Sequence, residues 1–131
     1  MTTTQLVPPL SFEAALAALE RSSESHGDPT TALREAVDAL WTIAAQAARE
    51  GAFASDRVEL MQRGKRVLSV IIRRGLASGA FRPRCRTWAE QGLAHALMAG
   101  VSARWVFGLP QERSLRAGAA ADAALEVLRR S

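Results

Sequence analysis

The sequence predicts an all-α fold, and three observations carry that expectation. Its 131 residues include no tyrosine and are rich in Ala, Leu, Arg and Glu, which lose little side-chain entropy in a helix. Apolar residues recur every three or four positions and nowhere alternate with period two. Start and stop signals divide the chain into about five helices.

Met1 to Leu10, a Thr run followed by Pro8-Pro9, has no periodicity and reads as a flexible N-terminal arm. Residues 11–130 are expected to form a single helical domain, since a chain this short holds one core. The first helix is expected from about Ser11 to Glu24, with Phe12, Ala15, Leu16 and Leu19 on one side, and Ser25-His26-Gly27 ends it. Asp28-Pro29 is a start signal, because the carboxylate caps an orphan amide and proline's fixed φ suits the first helical position. The second helix then runs to about Arg49. Leu33, Ala36, Val37, Leu40, Ile43, Ala44, Ala47 and Ala48 share its apolar face, while Arg34, Glu35, Asp38, Thr42, Gln46 and Arg49 read as its solvated one.

Glu50-Gly51 breaks that helix, and Asp56 with Glu59 resembles a capping box that opens the third. Its apolar half is Leu60, Gly64, Val67, Leu68, Ile71, Ile72, Gly75 and Leu76; Arg63, Arg66, Arg73 and Arg74 lie opposite. Gly79 caps its end. Thr87 with Glu90 is a full capping box, which predicts a fourth helix from Trp88 to about Phe107, stopped by Gly108 and Pro110. The last helix, about Gln111 to Arg130, is alanine-rich.

The fourth helix is apolar almost all round and so is expected to be buried on more than one side. Ala89, Gly92, Ala96, Ala99, Gly100 and Ala103 form a small-residue face suited to close helix docking. Gln91, His95, Met98, Ser102 and Trp105 form another, which mixes pliable apolar groups with polar tips.

Hydrophobic residues make up 48% and charged residues 23% of the chain, the balance of a folded soluble domain. The uncharged run from Gln91 to Ala103 is well short of the ~20 apolar residues that cross a bilayer, so no membrane span is expected. The start of the chain has no basic region ahead of an apolar stretch, and a cytoplasmic location is expected. Cys85 is the one cysteine; it has no internal disulfide partner and is short of a zinc set. The net charge of +4 is uneven. Residues 1–56 hold three basic and eight acidic side chains, 57–86 hold nine and one, and 87–131 hold five and four.

The stretch Val67 to Pro83, with its Gly79-Ala80-Phe81-Arg82-Pro83 turn, resembles the long helix and turn of the C-terminal regulatory domain of tetracycline-repressor-like (TetR-type) regulators. Arg104-Trp105-Val106-Phe107-Gly108, followed by Arg113 to Ala117 and an alanine-rich end, is similar to the last two helices of that domain. Gly27-Asp28-Pro29 before a helix containing Ala39-Leu40-Trp41 is similar to its earlier part. The resemblance spans about residues 11 to 130 and implies an effector-binding and dimerisation domain, with the last two helices pairing in a two-fold four-helix bundle. The family's helix-turn-helix head has no room in the roughly ten residues before the first helix, so the chain is expected to be either a stand-alone regulatory domain or a piece of a longer product whose head lies upstream. Direct DNA binding is therefore not expected of this chain alone, and a heterodimer with a full-length regulator joins the homodimer as a candidate assembly.

On that reading the small-molecule effector is apolar or amphipathic, and its contacts are expected from Gln91, His95, Met98, Ser102 and Trp105, with Trp41 and Met61 from neighbouring helices. The dimer interface is expected from Gly92, Ala96, Ala99, Gly100 and Ala103 and, on the last helix, from Ala117, Ala121, Ala124 and Leu128. The bland alternative is a ligand-free helical dimerisation module in which His95 is a core histidine and the Met and Trp residues fill space. The arginine face reads as solvated in preference to phosphate-binding, because no aromatic residues are interleaved with it. Arg82, Arg84 and Arg86 around Cys85 favour a thiolate, though an incidental loop cysteine is the plainer reading. Neither histidine sits in a catalytic motif and no phosphate loop is present. No catalytic residue, metal or cofactor is expected.

Overall fold

Six helical segments account for the regular structure in a computed structural model of the chain, which describes residues 11–24, 27–51, 54–107 and 115–129. They are α1 (Phe12–Ser23), α2 (Pro29–Arg49), α3 (Ala54–Ser78), α4 (Arg86–Gln91), α5 (Leu93–Phe107) and α6 (Leu115–Arg129). No strand occurs among the described residues.

Side-chain caps start the first two helices. Ser11 Oγ accepts from the Ala14 amide at 3.1 Å, and Asp28 Oδ2 accepts from the Thr31 amide at 3.1 Å and the Thr31 hydroxyl at 3.0 Å. The bond from the Thr31 amide holds the Asp28 carboxyl below its ordinary pKa. Pro29 occupies the first helical position, where its missing N–H costs nothing. Gly79, at φ +81°, ends α3.

Two predicted helix starts differ. The third helix begins at Ala54, so Asp56 lies inside the first turn, where its charge complements the helix dipole. The predicted fourth helix is split by Gly92, whose amide donates to the Trp88 carbonyl at 2.7 Å. The Trp88 indole folds over that glycine, and a Cβ there would stand 2.8 Å from its Nε1. Thr87 therefore lies within α4 and does not cap it; the cap position is Cys85, which makes no side-chain cap bond. Glu90 faces Arg86 at 3.5 Å instead.

At the centre lies α2, which packs on α1, α3, α5 and α6. Its predicted apolar stripe is buried from Leu33 to Ala47, with Ala48 half-buried at its end, and the predicted stripe of α3, from Leu60 to Leu76, is buried throughout. Leu33, Leu40, Leu60, Leu68 and Ile72 are wholly inaccessible, each contributing about 1.5–3 kcal/mol of transfer free energy. α5 turns Leu93, Ala94, Leu97, Met98 and Val101 inward. Ala121, Ala124, Leu125 and Leu128 of α6 are also buried, on a helix that packs chiefly on α2. The assignment of Ala121, Ala124 and Leu128 to a dimer interface is thereby corrected: α2 of the same chain covers them. The Leu128 carbonyl further accepts from the Arg82 amide at 2.6 Å, tying the end of α6 to the connection after α3.

Candidate functional site

A groove of about 640 Å³ runs along α1 and α2, within the size range of drug-sized ligand sites. Small side chains make the space. Ala15 and Ala18 of α1 face Ala32 and Ala39 of α2 across it, and Leu19, Ala36, Ile43 and Ile71 form the floor. Along the α2 edge run Thr31, Glu35, Asp38, Thr42 and Gln46, at spacings of four, three, four and four residues that keep them on one side of the helix. Asp28 closes one end. Among the described residues the lining carries three carboxylates and no Lys or Arg.

The α1 wall is held by arginines from α3. Arg63, with 14% of its side chain exposed, grips both oxygens of Glu20, through Nη2 at 2.5 Å and Nε at 3.1 Å. Its Nη1 reaches Glu13 at 2.8 Å and Glu59 at 3.0 Å. The bond from Arg63 lowers the Glu20 pKa, and the bonds to Glu20 and Glu13 raise that of Arg63. About three turns further along α3, Arg74 Nη1 donates to the Ser23 carbonyl at 2.8 Å, at the last turn of α1. The reading of this arginine face as solvated therefore holds for Arg66 and Arg73, which are exposed, and is corrected for Arg63 and Arg74, which clamp a helix.

None of the predicted ligand contacts lines this groove. Gln91, at the end of α4, is exposed, and so is His95, because α5 turns Leu93, Ala94 and Leu97 to the core instead. Met98 is buried: its Sδ and Cε lie over Gly64, in the room left by the missing side chain. Met61 packs half-buried on the core, and Ser102 is half-buried. Trp41 is buried with its ring beside Gly100, its Nε1 without a hydrogen-bond partner among the described residues. Trp105 lies outside the described side chains. The structure therefore brings Trp41 near α5 and Met98 onto α3.

Of the remaining predicted interface residues, Ala96 and Ala99 are exposed, while Gly92 is covered by Trp88 and Gly100 lies against Trp41. Ala103 and Ala117 fall outside the described side chains. Trp88 is 45% exposed and was not singled out by sequence. Among the described residues no group of three or more His, Cys, Asp or Glu is placed to hold a metal ion, and no helix is long and apolar enough to cross a membrane. No protein-family model, characterised protein or solved structure matches the chain.

Proposed function

We propose that the chain is an effector-binding helical domain of the TetR type, a non-enzymatic sensor whose small amphipathic ligand lies in the groove between α1 and α2. The groove carries this reading: it has the volume of a small-molecule site, an aliphatic floor and directional polar groups along one edge. The ordered sequence resemblance supports the family. A ligand seated there touches α1, α2 and Ile71 of α3 together, so it acts by favouring one arrangement of these helices over another. A thermal-shift panel of amphipathic small molecules tests the reading. At least one compound is expected to stabilise the wild type and to leave Ala39→Trp, which fills the groove, unshifted. A panel without a stabilising compound, or shifts that persist in Ala39→Trp, would remove it.

Self-association is a second element of the proposal, favoured by the exposure of Trp88, Ala96 and Ala99. Tryptophan is the residue type most often central to such contacts, and alanines beside it let a second helix approach closely. Another copy of this chain or a full-length regulator is the proposed partner.

A further inference from the structure

We infer that residues 1–10 of this chain, which lie outside the described residues, dock along the α1–α2 groove as an extended strap. The strap shares the groove with the proposed ligand but docks there whether or not a small molecule also binds.

Its first support is the place where the arm joins the fold. Ser11 caps α1 with extended backbone, at φ −63° and ψ 161°, so Leu10 takes the position before the cap and Ala15 the fourth helical position. Apolar residues at those two positions commonly pack together and set the angle at which the chain enters the helix. Ala15 lines the groove. It also lines a smaller hollow with Phe12, Ile43, Ala47 and Glu50, which puts the start of α1 beside the end of α2. A contact between Leu10 and Ala15 delivers the arm into this end of the groove.

Length and composition are the second support. From Gln46 back to Asp28 the groove follows about 27 Å of helix. The ten residues from Met1 to Leu10 span about 31 Å in the polyproline II conformation that Pro8-Pro9 favours. Three residues per turn then put Val7 and Leu10 on one side of the strap. Val7, about 12 Å from Ser11, comes level with Ala39, between Ile43 and Ala36 of the floor, while Thr3 comes level with Thr31. The apolar half of the arm, Leu6 to Leu10, thus covers the aliphatic floor, and its Thr-Thr-Thr-Gln half meets the polar end at Asp28 and Thr31. The arm contains no Asp or Glu, so Glu35 and Asp38 at the edge do not repel it. Tethering holds the arm at a millimolar effective concentration, which lets a weak contact keep the groove covered.

Thiol labelling of the full chain tests the strap. Cys85 is exposed and makes no cap bond, so Cys85→Ser supplies a thiol-free background. In it Ala39→Cys places one thiol in the groove, and Val70→Cys places one on the exposed side of α3. Adding Val7→Asp/Leu10→Asp is expected to speed the reaction of neutral iodoacetamide at Ala39→Cys about fivefold, the scale set by a weak tethered contact, and to leave Val70→Cys unchanged. In mild oxidant, Val7→Cys with Ala39→Cys should close an intrachain disulfide faster than Val7→Cys with Thr31→Cys. An unchanged rate at Ala39→Cys, or a rise shared by Val70→Cys, would overturn the inference, and so would faster closure of the Thr31 pair. Stabilisation by an amphipathic compound that Ala39→Trp removes would still stand in each of those cases, so the strap can fail without the proposed ligand site.

Discussion

The ring of Phe81 lies directly on the backbone of Gly75: a Cβ on that glycine would stand 2.0 Å from Cδ2 and 2.3 Å from Cε2. The Phe81 amide donates to the Gly75 carbonyl at 3.0 Å, so backbone and ring are fixed together at the turn after α3. Gly75→Ala is expected to destabilise by about 1–3 kcal/mol through overpacking, and Phe81→Ala by about 3–5 kcal/mol. In urea unfolding the double variant should cost clearly less than the sum, because the clash vanishes with the ring.

Gly64 gives the contrasting case. An added Cβ would meet Met98 Cε at 2.6 Å, its Sδ at 2.8 Å and Leu40 Cδ2 at 2.9 Å. These are ends of flexible side chains, and alanine gains roughly 1 kcal/mol of helix propensity over glycine. Gly64→Ala should therefore leave the urea midpoint nearly unchanged while Gly75→Ala lowers it.

Removing the α1 clamp should cost more than an ordinary surface ion pair. Arg63→Ala deletes charge-assisted bonds to Glu13, Glu20 and Glu59, a loss of about 1–3 kcal/mol. Lysine cannot reproduce the paired grip on Glu20, so Arg63→Lys should recover only part of the lost Tm.

The pH dependence follows from Glu20. Its pKa is lowered below an ordinary value of 4.5 by the Arg63 bond, so the native state favours the charged form. The resulting stability is fully present above the unfolded-state value and is lost as pH falls through the lower folded value. Thermal melts between neutral pH and about pH 3 should show a decline in Tm starting near pH 4.5, and a shallower decline in Glu20→Gln.

If Trp88, Ala96 and Ala99 join two copies, Ala99→Trp should convert a dimer to a monomer at micromolar concentration in light scattering. Ala96→Trp should act alike. A monomeric wild type would remove the self-association proposal.

The sequence made the helices and their buried stripes legible, because a 3.6-residue period needs no knowledge of what lies opposite. Every predicted apolar position of α3 is buried. What covers a stripe is a tertiary property. Ala121, Ala124 and Leu128 have the same pattern whether α2 or a second copy lies on them, and Met98 fills the space over Gly64 from a distant point in the chain. The groove was hidden for a similar reason, since Thr31, Glu35, Asp38, Thr42 and Gln46 are indistinguishable on a wheel from an ordinary solvated face. The available signal was compositional: that stripe lacks Lys and Arg, and alanines flank it on both helices. Thr87 and Glu90 had the spacing of a cap, but Trp88 closing over Gly92 set the break elsewhere.

α1 is short, and much of what fastens it is ionic: Arg63 to Glu13 and Glu20, with Arg74 on the Ser23 carbonyl. Such contacts weaken with added electrolyte far more than the leucine packing of α2 against α3. The amides of α1 should therefore exchange with deuterium sooner than those of α2, and sooner still at high ionic strength. A ligand bridging α1 to α2 would slow that exchange without altering the helices themselves. The wall of the groove is thus the part of the molecule whose breathing an occupant is best placed to quiet.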